Sequence, residues 1–264
     1  MKKVLFATTA LIETAGVAAA DVTFSGMSRF GVTYTDNGTT TATAQTSRFL
    51  LNVDGSATTD SGMTLGARLR IRQNNGDTAE RNTGSFNSAR FHLTSGGLTL
   101  GVGNIFGALD SAPNLYSGTV GLTGLGFGNV VTGFASHGYA SEGAGAAENN
   151  EGIELMYSMG DYGLHISSDG ATTEVVASGT MNGITAAIGM SDADVAGTDL
   201  LLTVGGSFGS IDAALAFASD ADDTTRTTIS MGMDIGAATR MSAYVGDNGA
   251  AADNMNFGVG VNHG

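Results

Sequence analysis

Apolar and polar residues alternate with a period of two through successive segments of about ten residues, almost to the end of the chain. That period excludes a helical reading, because helical side chains return to one face every 3.6 residues or so, whereas strand side chains do so every second residue. Val22, Phe24, Phe30, Val32 and Tyr34 share one parity, and Thr23, Ser25, Arg29 and Thr33 share the other. Phe49, Leu51 and Val53 oppose Arg48, Asn52 and Asp54. Met63, Leu65, Leu69 and Ile71 oppose Thr64, Arg68, Arg70 and Arg72, and Ala89, Phe91 and Leu93 oppose Arg90 and His92. The scheme continues through Ile153, Leu155 and Tyr157 to Phe257, Val259 and Val261, which predicts about fourteen strands, each with one apolar and one wet face.

A soluble sandwich also alternates, but it needs large side chains to fill the space between its sheets. This chain has 7% aromatic residues, no tryptophan and 41 glycines, little with which to pack an interior. Its connections also alternate. Short ones fall at 58–62, 96–97, 160–163, 182–183, 209–210 and 236–237, and between them lie longer acidic ones. Tight turns at one end and long loops at the other predict an all-β fold, an antiparallel up-and-down transmembrane β-barrel with a wet lumen and no apolar core inside. The longest connection, 107–150, contains an uncharged run from Ser111 to Ser141 that glycines interrupt too often for a spanning helix. A structureless segment of that length usually serves function, and inside a wide barrel it would fold inward and narrow the lumen.

Residues 1–20 stand apart. Met1-Lys2-Lys3 is a cationic start, Val4 to Ile12 an apolar stretch, and Val17-Ala18-Ala19-Ala20 a small-residue cleavage site, the organisation of a secretory signal peptide; Glu13 is an unusual carboxylate within it. Residues 21–264 then form a single barrel domain. Removing the leader takes both lysines and one acid, leaving nine arginines against 24 Asp and Glu. Such an acidic chain repels phosphate, so nucleic acid is not an expected partner. Without cysteine there is neither a disulfide scaffold nor a thiolate site.

The arginines are unevenly placed. Arg29, Arg48, Arg68, Arg70, Arg72 and Arg90 all fall on the wet parity of the first four strands, and His92 shares the face of Arg90. On neighbouring strands they would gather into a basic cluster on one wall of the lumen, where a low-dielectric surround strengthens their field. Asp192 and Asp194, with Asp220 and Asp222, are weak calcium candidates that lack EF-hand spacing; no other cofactor is expected. The histidines are scattered, with no HExxH and no spacing that assembles a nucleophile, base and orienting acid, so no enzyme is predicted.

The opening Asp21-Val22-Thr23-Phe24-Ser25-Gly26, the stretch Leu98-Thr99-Leu100-Gly101-Val102-Gly103-Asn104 and the closing Asn256-Phe257-Gly258-Val259-Gly260-Val261 resemble the trimeric general porins of alphaproteobacteria, the purple-bacterial type. The resemblance implies a sixteen-stranded barrel whose third long loop folds into the pore. It also implies that the chain lacks two C-terminal strands and the closing aromatic residue. In such porins the basic wall faces carboxylates on the inward loop, for which Asp110, Glu142 and Glu148 are the candidates here. The expected function is passive diffusion of small hydrophilic solutes and ions, with mild cation preference, by a homotrimer set in outer-membrane lipid and lipopolysaccharide. The alternative is a secreted acidic β-structured adhesin or matrix protein without a pore.

Overall fold

The alternating segments are strands. The computed structural model describes residues 20–36, 38–75, 85–116, 130, 134, 138–140, 151–194, 196–247, 249 and 255–263. In chain order the strands are β1 (Ala20–Asp36), β2 (Thr41–Thr58), β3 (Thr64–Asn75), β4 (Ser85–Phe86), β5 (Arg90–Ser95), β6 (Leu98–Asn104), β7 (Glu151–Met159) and β8 (Tyr162–Ser168). They continue as β9 (Thr172–Met181), β10 (Ile184–Ala193), β11 (Gly197–Phe208), β12 (Ile211–Ser219), β13 (Thr225–Gly236), β14 (Thr239–Asp247) and β15 (Met255–His263). Apart from the two-residue β4, which extends the line of β5 along β3, each strand pairs antiparallel with the next in a single sheet. Among the described residues β1 and β15 do not pair with each other, so the sheet is open between them.

The turns show why consecutive strands can pair. Between β9 and β10, Asn182 and Gly183 both have positive φ, 52° and 79°. That conformation matches the twist of the flanking strands in a two-residue hairpin and suits Asn-Gly. Side-chain parity then sorts the two faces. Phe24, Phe30, Val32, Ile188, Phe257 and Val259 are exposed on the outer face. Glu154, Ser167, Glu174, Ser191 and Thr203 are buried on the inner one.

The interior departs from the expectation of a lumen without apolar packing. Ala108, Leu109, Ala112, Leu115, Val130 and Phe134, all from the segment between β6 and β7, cluster with Val176, Ala187, Leu201, Ala216 and Ala218 from strands β9 to β12. The core of this protein therefore lies inside the curve of the sheet, between its inner wall and the inward loop. Leu201 shows the sequence basis, since the unbroken run Leu200-Leu201-Leu202 turns one leucine inward.

Candidate pore constriction

The strand register places the sequence-predicted basic residues in rows on one inner wall. Asp54 of β2 lies opposite Arg68 of β3, which lies opposite Arg90 of β5. In the next rows Asn52 faces Arg70, Leu50 faces Arg72, and Arg29 of β1 faces Arg48 of β2. The structure thus brings all six arginines onto adjacent strands. Three of them are oriented by wall residues. Arg68 makes a two-pronged bond to Asp54 at 2.6 and 3.2 Å, Arg70 Nε donates to Asn52 Oδ1 at 2.7 Å, and Arg90 Nε donates to Glu154 Oε1 at 2.5 Å. Bidentate and charge-assisted geometry holds a guanidinium in one orientation. His92 lies opposite Gly66, where an added Cβ would sit 2.3 Å from the imidazole, so the glycine makes room for the ring.

The inward loop is fastened by groups that parity alone marks only as polar. One transverse row of the sheet reads Gly101, Glu154, Ser167, Glu174, Ser191, Asp199 across β6 to β11. Its three carboxylates are 1%, 0% and 3% exposed. Glu154 Oε2 accepts from the Phe106 amide at 3.1 Å, and Glu174 Oε2 from the Leu109 amide at 3.0 Å. Ser167 Oγ accepts from the Ala108 amide at 2.9 Å and donates to Glu174 at 3.1 Å. Asp199 accepts from Ser191 and from the Ala221 amide, both at 3.1 Å. Buried carboxylates need such partners, and backbone amides at the start of a loop need acceptors. The row satisfies both requirements together.

Further along, Thr203 Oγ1 donates to the carbonyl of Pro113 at 2.6 Å and Asn114 Nδ2 to that of Thr185 at 3.0 Å. Residues 138–140 of the loop return beside its entry. Asn104 exchanges two hydrogen bonds with Ala140, at 2.9 Å each, and Asn87 donates to the same carbonyl at 2.7 Å. Phe106 and Tyr139 meet there with ring centroids 5.1 Å apart. The Arg90 guanidinium lies 4.5 Å from the Phe106 ring centre and that of Arg70 lies 4.7 Å from that of Tyr139. Cation–π contacts of this kind join the loop's base to the basic wall.

Glycines clear the path. A Cβ at Gly152 would lie 2.7 Å from Ile105, one at Gly189 2.7 Å from Leu109, and one at Gly205 2.5 Å from Asn114. At Gly101 it would lie 2.3 Å from Glu154 Oε1, the oxygen that holds Arg90. Gly101→Ala is expected to displace this carboxylate and destabilise the protein by about 1–3 kcal/mol, the usual cost of overpacking. Gly55→Ala, at a strand position where a Cβ meets nothing within 4 Å, should stay within about 0.5 kcal/mol. Denaturant unfolding in detergent compares the two; equal effects would remove the assigned role of Gly101.

Of the acidic candidates on the loop, Glu142 and Glu148 lie outside the described residues. Asp110 is half-buried and accepts a hydrogen bond from the Tyr116 hydroxyl rather than from an arginine of the wall. Burial, and then this bond, push the Tyr116 phenol well above the ordinary tyrosine range. The carboxylates that do meet the basic cluster, Asp54 and Glu154, come from the strands. Sequence reading passed over Glu154 and Glu174, although each interrupts an apolar strand at wet parity. Among the calcium candidates, Asp220 caps the turn before β13 by accepting from the Asp222 and Thr224 amides and pairs with Arg226, while Asp192 accepts from Thr198. Asp194 donates its amide to the Ala171 carbonyl. Among the described residues no three acidic or histidine side chains converge as a metal site.

A sheet with an apolar exterior, a charged inner wall and a loop fastened across that wall defines a class, the outer-membrane β-barrel with a narrowed lumen. Comparison places the chain within it: residues 7–264 match the Gram-negative porin family, and the chain belongs to that family. A porin of Fuscovulum blasticum is 32% identical over 149 residues, which are 56% of this chain and 51% of that one, so the aligned part spans about half the length of that relative. A double mutant of the Rh. blastica porin superposes with a TM-score of 0.79 at 26% identity, covering 92% of this chain and 90% of that one. A triple mutant of the same porin gives 0.80 at 26% identity with the same coverage.

Proposed function

We propose that the chain forms a passive diffusion channel for small hydrophilic solutes and ions, a channel rather than an enzyme, with mild cation preference. One observation carries the reading: a loop fastened to the inner wall lies against a row of oriented arginines, which is how a wide barrel becomes a selective opening. Ion preference follows from charge. Over the chain as a whole the 24 acids left after leader removal outnumber the nine arginines, and Arg68, Arg90, Arg226 and Arg240 are each paired with a carboxylate. The apolar outer face supports a barrel set in lipid over a secreted adhesin. Homotrimers in outer-membrane lipid and lipopolysaccharide go with this reading.

Reversal potential across a planar bilayer under a salt gradient tests it. The wild-type chain should favour cations weakly. Replacing Arg68, Arg70 and Arg72 together with serine should raise conductance and shift the reversal potential further toward cations, because Asp54 then loses its guanidinium partner. Fold stability should fall by no more than about 1–2 kcal/mol, since these side chains face the lumen rather than lipid. Anion preference in the wild type, or a triple variant with unchanged selectivity, overturns the reading.

A further inference from the structure

Away from the basic wall, on the inner face of β12 to β14, lies a cavity of about 470 Å³. It falls within the range of small-molecule sites, roughly 300–1,000 Å³. Asn114 and Tyr116 of the loop cover it, and Asp212 of β12, Ser230 of β13, and Arg240 and Ser242 of β14 line its wall.

The wall is organised around Arg240. Its guanidinium bridges Asp212 and Asp234, the second bond being 3.1 Å, and Asp212 also accepts from Ser207 Oγ at 2.6 Å. Gly232, between Asp212 and Ser242 in register, allows this: a Cβ there would lie 2.6 Å from Arg240 Nη2. Two carboxylates against one guanidinium leave no net positive charge to hold an anion. The Tyr116 ring is fixed by its bond to Asp110 and stays partly exposed. Ser242, only 7% exposed, has a hydroxyl with no hydrogen-bond partner among the described residues.

We infer that this cavity is a solute subsite for a neutral polyhydroxylated ligand of monosaccharide size. Adjacent hydroxyls of such a ligand both donate and accept, which matches a wall presenting a carboxylate, a guanidinium and serine hydroxyls side by side. The apolar face of a sugar ring covers Tyr116, whose aromatic body is apolar and whose polar end is already engaged. A phosphate lacks an uncompensated cation here, and an alkyl ligand would strand the polar wall. The site rests on the channel reading, as a resting place on the permeation path.

The test is saturation-transfer NMR of methyl α-glucoside with the full chain refolded in detergent micelles. Binding with a dissociation constant of about 1–10 mM is expected, weak enough for release. Tyr116→Ala should abolish the signal, whereas Tyr116→Phe, which keeps the ring, should hold it within about twofold; Ser230→Ala should weaken binding about threefold to tenfold, the loss of one hydrogen bond. A polyethylene glycol oligomer of the same size should give no signal. If the glycol binds equally well, or if Tyr116→Ala folds and binds like wild type, the subsite is overturned. A chain that conducts without binding the glucoside also overturns it, whereas a chain that binds but never conducts overturns the channel and leaves the site.

Discussion

Glu154→Ala should destabilise the protein by about 3–5 kcal/mol and release the base of the inward loop, because it leaves Arg90 buried without its counter-charge. Arg90 is 6% exposed, and Glu154 receives its Nε together with the Phe106 amide and the His165 ring at 3.2 Å. One side chain therefore ties the basic wall, the loop entry and β8 together. Guanidinium unfolding in detergent should show the loss. Limited proteolysis should cut the loop in the variant at protease levels that spare the wild type. Adding Arg90→Met to Glu154→Ala should recover a large part of the stability, since it removes the stranded charge, yet leave the loop as easily cut as in the single variant. Matched stabilities for the single and double variants would mean that the pair is not the unit assigned here.

The strand framework was legible because lipid outside and water inside impose opposite preferences on alternate residues, and nothing else in the chain obscures that rhythm. The same parity located all six wall arginines. It could not distinguish Glu154 and Glu174 from ordinary wetted lumen residues, because what covers them is a loop with no periodicity of its own, whose path is written in hydrogen bonds between distant segments. The interior core escaped for the same reason. Val176, Ala187 and Ala216 look like tolerated small or apolar residues on a wet face until the loop brings Leu109 and Leu115 against that face. Two local signals were available, the uninterrupted Leu200-Leu201-Leu202 and the acidic residues set among the apolar residues of β7, β9 and β11. Asp110 was expected to face the arginines. It holds Tyr116 instead, six residues along the same loop, a contact that no strand spacing encodes.

The largest effect is expected at the seam between β1 and β15. Every residue of β1 from Ala20 to Asp36 is paired with β2 on one side, and β15 is paired with β14 from Met255 to His263, but the opposite edge of each has no partner among the described residues. In lipid each unpaired backbone group costs several kcal/mol, so an open edge of this length dominates the energetics of the barrel. The interior core clamps the loop to β9–β12 and does not reach the edges. Two amphipathic strands placed after His263, able to pair with both edges, should raise the unfolding midpoint in detergent by about 10 °C or more, since several kcal/mol are recovered at a few degrees each. They should also turn sporadic bilayer currents into stable conductance and produce heat-modifiable, SDS-resistant oligomers. If residues 21–264 alone match the extended chain in all three measurements, β1 and β15 must pair directly in the membrane, with tilt and shear readjusted around a smaller ring.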